Sequence, residues 1–343
     1  MAVAETVARS LPRSDALDQY PSFDLTPVIG RQFTTAQLSD WLKASNSDEL
    51  LRELAIVISE RNIVFFKKQT LTIEEQKLLA RKLGELSGGP EDSGLHIHPS
   101  TVDNSELGDL VSVISTLTPE AKARRFGHGS QFASREWHSD ITFEPVPSDF
   151  AILKIHTLPE VGGDTVWGSA YEACDRLSPE FAKHLEGLTV LHDASVFRRP
   201  DAPYVCANDN AIRKGPRGHP LNVGTELRAV HPVIRTNPVT GWKGLFVNRA
   251  FTKRIIELSY DESAVIREYL FRLTTENHDL QVRYRWDKDD IAIWANSSTV
   301  HNVTRDYVGE RYGNRVVSLG EKPSYDPKSI SRRQALGLPA FAG

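Results

Sequence analysis

The sequence contains two places where a histidine is followed two positions later by an acidic residue, His138/Asp140 and His184/Glu186. The first pair lies in WHSDITF (137–143), whose Trp, Ile, Thr and Phe are typical of a half-buried β-strand. Residues i and i+2 of a strand point to the same face, so the imidazole and the carboxylate would project side by side. Such a pair could supply two ligands of a metal site that keeps positions open for exogenous partners.

The second pair is not expected to bind a metal. Its segment begins with Ser178-Pro179 and ends at Gly187, which predicts a helix. Side chains at i and i+2 of a helix diverge, so His184 and Glu186 would point in different directions.

The composition excludes several classes of protein. A net charge of −4 over 343 residues gives no sign of nucleic-acid binding, and no apolar run approaches the ~20 residues of a membrane span. The two cysteines, Cys174 and Cys206, form no CxxC pair and favour a reducing compartment. The N-terminal segment lacks an apolar secretory core. We therefore expect a cytoplasmic protein that binds neither nucleic acid nor membrane.

The secondary-structure patterns predict an α+β fold. Helices are expected at 35–43, 48–60, 178–186 and 261–274, and a capping box at Thr72–Glu75 opens another that ends at Gly84. Strands are expected at 63–66, 110–114, 137–143, 150–156, 165–167, 188–192, 230–235, 244–247, 280–286, 291–294 and 315–319, with hairpins over 230–247 and 280–294. Antiparallel hairpins with helices gathered early and between them favour one domain, residues 1–343, around a β-sandwich or jelly-roll core.

Segments with little periodicity surround this core, which spans about 61–323. Residues 1–33 are expected to form an irregular N-terminal arm, and residues 324–343 a polar C-terminal tail. The segments 116–136 and 193–228 are predicted to be long loops, and loops of that length are often active-site lids.

Three residues late in the chain could complete a site. His301 follows the last predicted hairpin and could be a third metal ligand, although a lone histidine is more often a packing residue. Arg311 and Arg315, if they share a strand, would lie about 13 Å apart, four residues at ~3.3 Å each. That separation suits two different anions, and two solvated surface arginines are the alternative.

These residues belong to a series of motifs that occur in a fixed order. The motifs are LHIHP (95–99), WHSDITF (137–143), GGDTVW (162–167), HPVIRTNPVTG (231–241), LFVNRAFTKRI (245–255), DIAIW (290–294), His301 and RVVSLGEKP (315–323). From about Arg61 to Pro323 the chain resembles the taurine dioxygenase and phenoxyacetate dioxygenase family of Fe(II)/2-oxoglutarate-dependent oxygenases. Several such blocks in this order are specific, and LHIHP resembles the sulfonate-using branch.

The resemblance implies a double-stranded β-helix (jelly-roll) core flanked by helices, with long lid loops, and it implies a role for each candidate. His138, Asp140 and His301 would be the catalytic iron ligands, which leaves three positions of Fe(II) open. Thr165 and Arg311 would bind the distal carboxylate of the cosubstrate 2-oxoglutarate.

The resemblance also implies contacts to the primary substrate. The guanidinium of Arg315 would face its anionic group, because the planar fork suits a sulfonate, sulfate or carboxylate. His98 would contact the same anion, and Phe251 and Phe197 would be aromatic walls of the pocket, with plain core packing an equal alternative for Phe251. Glu136 would lie near a substrate amine, where a carboxylate could favour a cationic group or repel an anion.

The implied reaction is oxidative decarboxylation of 2-oxoglutarate to succinate and CO2, coupled to hydroxylation of a substrate carbon by O2. If that carbon bears a sulfonate, the product collapses to an aldehyde and sulfite. The chain departs from the taurine enzymes at four places: a His301–Arg311 spacing shorter by one residue, Trp294-Ala295-Asn296-Ser297 in place of Trp-Asp-(Asn/His)-Arg, Thr101 in place of a Tyr, and Glu136 in place of an Asn. These changes bear on the substrate and not on the reaction class.

We therefore expect an Fe(II)/2-oxoglutarate-dependent dioxygenase of a small anionic substrate, an organosulfonate in the first place. The same chemistry on an alkyl sulfate, an amino acid or a biosynthetic intermediate is the alternative. A more remote alternative is a non-catalytic jelly roll with zinc held by His96, His98 or His138. Relatives of this kind often form homo-oligomers, which leaves the assembly of this chain open.

Overall fold

The computed structural model describes residues 11–100, 107–115, 132–198 and 212–341, without the side chains of 196 and 198. Thr101 and Cys206, together with most of the predicted loop 116–136 and part of 193–228, lie outside the described residues. The α-helices are α1 (Leu38–Lys43), α2 (Ser47–Arg61), α3 (Ile73–Leu86), α4 (Ala170–Asp175), α5 (Pro179–Leu185), α6 (Tyr260–Thr275) and α7 (Arg332–Ala335). Short 3-10 helices are found at Ala133–Glu136, Ser195–Arg198 and His278–Leu280.

Most strands are antiparallel. They are β1 (Ser22–Asp24), β2 (Arg31–Phe33), β3 (Ile63–Phe66), β4 (Ser112–Ser115), β5 (Ser148–Thr157), β6 (Thr165–Ser169), β7 (Thr189–Asp193), β8 (Arg228–Pro232), β9 (Ile234–Thr236), β10 (Lys243–Leu245), β11 (Thr252–Ile255), β12 (Gln281–Tyr284), β13 (Ile291–Ala295), β14 (Thr299–Val303) and β15 (Tyr312–Leu319).

A large sheet forms one layer of the fold. Its seven strands run in the order β1-β2-β3-β13-β5-β15-β4, and β2 with β3 is its parallel pair. The central strands β3 and β13 are completely buried, as expected for continuous apolar runs such as Ile63–Phe66. Two three-stranded sheets, β12-β6-β14 and β11-β7-β8, and the β9-β10 hairpin form the rest, and the sheets do not close into a barrel.

Apolar side chains cover both faces of the large sheet. One face packs against α1, α2 and α3 through residues such as Trp41 and Leu54. The other face carries an aromatic cluster in which the ring of Phe65 lies 4.0 Å from that of Tyr284 and 5.4 Å from that of Trp167. The strands that carry the candidate site residues therefore rest on a densely packed layer.

Helices α3 and α5 begin where the sequence predicts, whereas α1 begins three residues after its predicted start at residue 35, and α4 and α7 are not predicted. Thr72 forms a capping box with Glu75, and the hydroxyl of Ser178 accepts the N–H of Phe181 at the start of α5. The bound hydroxyl satisfies an N–H that would otherwise have no intrahelical partner. The capping box at residue 72 is confirmed, although α3 extends two residues beyond the predicted end at Gly84.

The predicted hairpin over 280–294 is wrong. β12 pairs with β6, whereas β13 pairs with β3 and β5 in the large sheet. The turn between them is fixed by Asp290, which is fully buried and accepts hydrogen bonds from Lys67 Nζ at 2.6 Å and Tyr284 Oη at 2.9 Å. This anchored turn carries the chain from one sheet to the other. The predicted hairpin over 230–247 is confirmed only for β9 with β10, because residues 228–232 form the separate strand β8, which pairs with β7.

The described parts of the N-terminal arm and the C-terminal tail contain more regular structure than predicted. β1 and β2 of the N-terminal arm extend the large sheet, so the arm is not irregular between 22 and 33. In the C-terminal tail, Arg333 of α7 makes an ion pair of 2.6 Å with the buried Glu172 of α4. The interpretation of residues 1–343 as one domain remains a prediction. In the described ranges, none of the helices has both the length and the apolar character that a lipid bilayer requires.

Candidate metal centre and substrate site

His138 and His301 face each other across a short antiparallel bridge. The N–H of His138 donates to the C=O of His301 at 3.0 Å, and the N–H of His301 donates back to the C=O of His138 at 2.7 Å. His301 lies within β14, whereas His138 is an isolated bridge residue followed by turns. The prediction of a strand over 137–143 is therefore wrong, because this backbone pairs only at one residue.

A sharp turn, and not strand alternation, brings Asp140 to this bridge. Ile141 has a φ of 50°, in the left-handed region that a β-branched residue rarely adopts. The N–H of Glu144 donates to the C=O of Ile141 at 3.0 Å and closes the turn. A conformation of this kind costs about 1–3 kcal/mol, so contacts from the rest of the protein must hold the turn in place.

Three potential metal ligands converge at this point. Nε2 of His138 lies 3.8 Å from Oδ1 of Asp140, and Nε2 of His301 lies 4.0 Å from the same atom. One ligand atom of each residue falls within 4.8 Å of the others, and the described residues contain no other such cluster of three. His96 and His98 are thus not part of a three-ligand cluster, which argues against zinc held by them.

The protein environment favours the protonation states that metal ligands need. Burial lowers the pKa of His138 below its usual value and lowers that of His301 to about 3. Burial alone would raise the pKa of Asp140, but the neighbouring groups, first among them the positive charge of Arg315, together outweigh it and hold this pKa at about 2. At neutral pH the site therefore presents two neutral imidazoles and one carboxylate, the forms that bind a divalent ion.

Arg315 lies beside the metal ligands. It is part of β15, and its Nη1 donates to Oδ1 of Asp140 at 2.6 Å. Oδ2 of Asp140 is buried and has no hydrogen-bond partner among the described residues, so its lone pairs are available to bind a metal ion. The guanidinium lies where the sequence predicts a contact to the primary substrate, and that contact itself remains a prediction.

Arg311 and Thr165 form a second polar group. Arg311, just before β15, is 3% exposed; its Nε donates to the C=O of Gly163 at 3.0 Å and its Nη2 to Oγ1 of Thr165 at 3.3 Å. The indole of Trp286 also donates to Oγ1 of Thr165, at 3.1 Å. Burial lowers the pKa of Arg311 to about 10, so the guanidinium remains charged at neutral pH.

The sheet register relates this second group to the metal ligands. His301 is opposite Trp167, and Thr165 is two residues from Trp167 on the same strand, β6. Thr165 and His301 therefore face the same side of the sheet, about 7 Å apart along the strand at ~3.3 Å per residue. A short dicarboxylate can span this distance from the metal ligands to the hydroxyl.

The two predicted aromatic walls, Phe251 and Phe197, lie 6.3 Å apart between ring centroids. The ring of Phe251 is 6.2 Å from that of His138, and the ring of Phe197 is 5.4 Å from that of His98. Both phenylalanines also pack against Phe143, at 5.1 and 5.5 Å between ring centroids. The structure brings these predicted residues together, and it adds Phe143 from the motif WHSDITF. Their contact with a substrate remains a prediction.

Glu136 is already paired within the chain. Its carboxylate accepts from Nε of Arg305 at 2.7 Å, and its backbone C=O lies 2.8 Å from Nδ1 of His138. The carbonyl favours the tautomer in which Nδ1 of His138 carries the proton and Nε2 is the acceptor. Glu136 thus contacts a potential ligand through its backbone, whereas its predicted contact with the substrate remains untested.

A set of buried polar residues that sequence reasoning missed holds the turn 140–146. Arg217 makes two hydrogen bonds to the carboxylate of Glu144, at 2.5 and 2.9 Å, and both residues are almost fully buried. Asn222 exchanges side-chain hydrogen bonds with the backbone of Val146 at 3.0 and 2.7 Å. The described part of the predicted lid 193–228 therefore includes a fixed brace. No periodicity in its sequence could have indicated this.

Comparison with known proteins agrees with this geometry. The sequence model described as "Taurine catabolism dioxygenase TauD, TfdA family" matches residues 21–317. The alpha-ketoglutarate-dependent dioxygenase btcD of Neocamarosporium betae is 42% identical, over 96% of this chain and 99% of that protein. An alpha-ketoglutarate-dependent sulfonate dioxygenase of Saccharomyces cerevisiae is 28% identical, over 90% of this chain and 68% of that protein.

A solved structure is similar over most of the fold. The crystal structure of a taurine dioxygenase from Burkholderia xenovorans matches with a TM-score of 0.68 and 23% identity, over 91% of this chain and 93% of that one. At this identity the likeness concerns the fold, and it confirms the predicted jelly-roll architecture.

Proposed function

The chain belongs to the TauD/TfdA family of 2-oxoglutarate-dependent dioxygenases, and from this premise we propose that it hydroxylates a small anionic substrate at Fe(II) held by His138, Asp140 and His301. The family uses Fe(II) and 2-oxoglutarate. The single observation that carries the proposal is the convergence of these three side chains within 4.8 Å. Two imidazoles and a carboxylate suit Fe(II) and leave positions for other ligands.

The residues present fit the metal. Oδ2 of Asp140 is buried without a hydrogen-bond partner among the described residues, and burial of an unpaired polar atom is costly. A bound cation would offset that cost, because it attracts the free carboxylate oxygen. The bound Fe(II), with 2-oxoglutarate and O2, supplies the oxidising power for hydroxylation of a C–H bond, and succinate and CO2 are the co-products.

Arg311 and Thr165 are proposed to hold the distal carboxylate of 2-oxoglutarate. Arg311 is buried and keeps its charge, and a carboxylate placed against it would form a charge-assisted hydrogen bond in a region of low dielectric. The hydroxyl of Thr165 lies beside this guanidinium, on the sheet face that also carries His301. The two ends of the cosubstrate would thus be fixed by different groups, which orients it at the metal.

The primary substrate is proposed to be a small acid, with an organosulfonate as the first class to test. Arg315 and His98 supply cationic or hydrogen-bonding groups, and Phe197 and Phe251 supply apolar surface near His138. The relative from Saccharomyces cerevisiae is named a sulfonate dioxygenase, and this name supports the class. The name of the more similar btcD gives no substrate, and the same chemistry on an alkyl sulfate, an amino acid or a biosynthetic intermediate stays the alternative.

The test is an anaerobic reconstitution with Fe(II), followed by addition of 2-oxoglutarate, ascorbate, O2 and one substrate at a time. Succinate measures turnover and sulfite identifies a sulfonate substrate. Succinate with sulfite supports the first class, and substrate-dependent succinate without sulfite supports the alternative. The His301→Ala variant is the control and should form no succinate. A purified protein that binds no Fe(II) and forms no succinate with any acid would refute the proposal.

A further inference from the structure

Asn296 lies directly behind the metal centre, in the turn that joins β13 to β14. It is 1% exposed, and its own position is fixed because its backbone N–H donates to the C=O of Asp149 at 2.7 Å. Its backbone C=O accepts from the hydroxyl of Ser139 at 2.7 Å. Ser139 is the residue between two of the three ligands, so this turn is bound to the metal-binding segment.

The side chain of Asn296 makes a second pair of contacts that reaches two ligands. Its Oδ1 accepts the backbone N–H of Asp140 at 3.2 Å and the indole N–H of Trp294 at 2.9 Å. The ring of Trp294 in turn packs against the imidazole of His301, with 5.1 Å between ring centroids. One amide oxygen therefore binds both the backbone of the ligand Asp140 and the indole that packs against the ligand His301.

The amide acts here only as an acceptor. Both neighbouring groups, the backbone N–H of Asp140 and the indole of Trp294, can only donate, which fixes the orientation of the amide. Nδ2 of Asn296 is buried without a hydrogen-bond partner among the described residues. A carboxylic acid of the same size would keep both contacts, whereas an apolar side chain would lose them.

These contacts oppose the strain next to Asp140. Ile141 has a φ of 50°, and its backbone would relax toward negative φ if the turn were free. Oδ1 of Asn296 holds the N–H of Asp140 from one side, and the hydroxyl of Ser148 holds its C=O at 2.8 Å from the other. Loss of the acceptor would leave a buried N–H unsatisfied and allow the carboxylate to move away from the imidazoles.

We propose that Asn296 is a positioning residue that sets the geometry of the metal centre by holding Asp140 directly and His301 through Trp294. The inference rests on the proposed function, since it concerns the affinity of the same three ligands for a divalent ion. Asn296 acts by orienting the ligands and is not proposed to contact the metal or the substrates.

The experiment measures the dissociation constant of Mn(II), as a stable stand-in for Fe(II), by electron paramagnetic resonance of the free ion. Asn296→Ala should weaken Mn(II) binding about 10- to 100-fold, the usual cost of losing a group that orients a ligand. Asn296→Asp keeps the acceptor and should bind Mn(II) at least as well as the unmodified chain. If Asn296→Ala does not fold, Asn296→Ser, with a shorter acceptor, replaces it and should still bind more weakly.

The matched control is Asn237→Ala. Asn237 is also buried, and its side chain accepts from Val239 N–H and donates to Ser297 Oγ, but it contacts no metal ligand. This variant should lower the unfolding temperature and leave Mn(II) binding unchanged. Equal Mn(II) binding by folded Asn296→Ala and the unmodified chain would overturn the inference, as would equal weakening by Asn237→Ala. If the unmodified chain itself binds no Mn(II), the proposed function fails first.

Discussion

At the scale of single residues, burial decides what the polar side chains can do. Arg311 is almost completely buried and remains charged, and Asp140 stays ionised because Arg315 lies 2.6 Å away. Charged groups in such places are costly unless they are paired. Both charges therefore depend on the groups that surround them in the folded chain.

Substitution of Arg311 should weaken the binding of 2-oxoglutarate selectively. Arg311→Lys keeps a charge but loses the planar fork that binds a carboxylate with two hydrogen bonds. We expect the KM for 2-oxoglutarate to rise about 30- to 100-fold, which corresponds to a loss of about 2–3 kcal/mol for a hydrogen bond to a charged group. Steady-state succinate formation measures it.

The matched control for this prediction is Arg283→Lys. Arg283 forms an ion pair with Asp164, in the same turn as Gly163, but its side chain is 56% exposed. Exposed pairs contribute little, so the KM for 2-oxoglutarate should change less than threefold. A similar rise in both variants would contradict the assigned role of Arg311.

His231 should make the protein sensitive to acid. It is buried, its Nε2 lies 2.9 Å from the C=O of Thr142, and burial lowers its pKa to about 4. The charged or titratable groups that face it are His192, Arg235 and Lys322, none of which is acidic. An unfolded histidine has a pKa near 6.5, so the unfolded chain binds the proton more tightly. The contribution to stability is complete above about pH 6.5 and is lost as the pH falls toward 4.

Urea unfolding at pH 7 and pH 4.5 tests this expectation. His231→Gln keeps a donor toward the carbonyl but cannot titrate, so it should lose less stability on acidification than the unmodified chain, by about 2–3 kcal/mol. The exposed His278→Gln is the control and should behave like the unmodified chain. An identical pH dependence of all three proteins would refute the assignment.

At the scale of elements, the turn 140–146 is held by a segment far away in the sequence. Arg217 and Glu144 form a buried ion pair with two hydrogen bonds, and Asn222 binds the backbone of Val146. A strained turn can persist only when its surroundings over-determine it. The brace therefore explains how a non-glycine residue with positive φ is tolerated next to a metal ligand.

The two charges of this brace should be far more costly to remove singly than together. Arg217→Met leaves the buried Glu144 with only the imidazole of His96, 3.8 Å away, as an ion-pair partner, and we expect it to lower the free energy of unfolding by about 3–5 kcal/mol. In the double variant Arg217→Met with Glu144→Gln, most of this loss should be recovered because no buried charge is left. Urea denaturation measures both, and a double variant as unstable as the single one would contradict the prediction.

The sequence predicts elements better than it predicts their partners. The capping box at Thr72 and the apolar run Ile63–Phe66 are local signals, and both elements form as expected. The error over 280–294 arose because Asp287 to Asp290 looks like a hairpin turn, whereas the buried Asp290 commits that turn to Lys67, more than 200 residues earlier. Pairing across such distances has no local signature.

In the candidate site, too, the sequence predicts some residues and gives no sign of the residues that pack against them. His138, Asp140, His301 and Thr165 belong to motifs of a known family, and Arg311 is assigned from its distance to the motif RVVSLGEKP (315–323). The brace residue Arg217 lies in a segment without periodicity, and its partner Glu144 directly follows the motif WHSDITF without any visible reason. Only the folded chain shows that they meet.

At the scale of the whole molecule, the described residues near both ends, 22–33 and 332–333, are built into the body. β1 and β2 extend the large sheet beside β3. In the tail, Arg332 and Arg333 both contact the carboxylate of Glu172, which is completely buried. A region that looks like a polar tail in sequence therefore neutralises a charge in the interior.

Removal of residues 324–343 should destabilise the whole fold. Glu172 would keep only Arg176, at 3.7 Å, as an ion-pair partner, and a buried charge that loses its partners typically costs about 3–5 kcal/mol. Glu172→Gln in the truncated chain should recover part of this loss, because it removes the charge. Thermal unfolding of the three proteins measures it, and a truncated chain as stable as the full one would refute the prediction.

The reciprocal backbone hydrogen bonds between His138 and His301 have a practical consequence. Two of the three ligands owe their spacing to main-chain atoms, which need no ion to stay in register. A chelator such as EDTA should therefore yield a native apoprotein with an unchanged far-ultraviolet circular dichroism spectrum. Activity should then return on titration with ferrous salt, at a stoichiometry of one, without a refolding step.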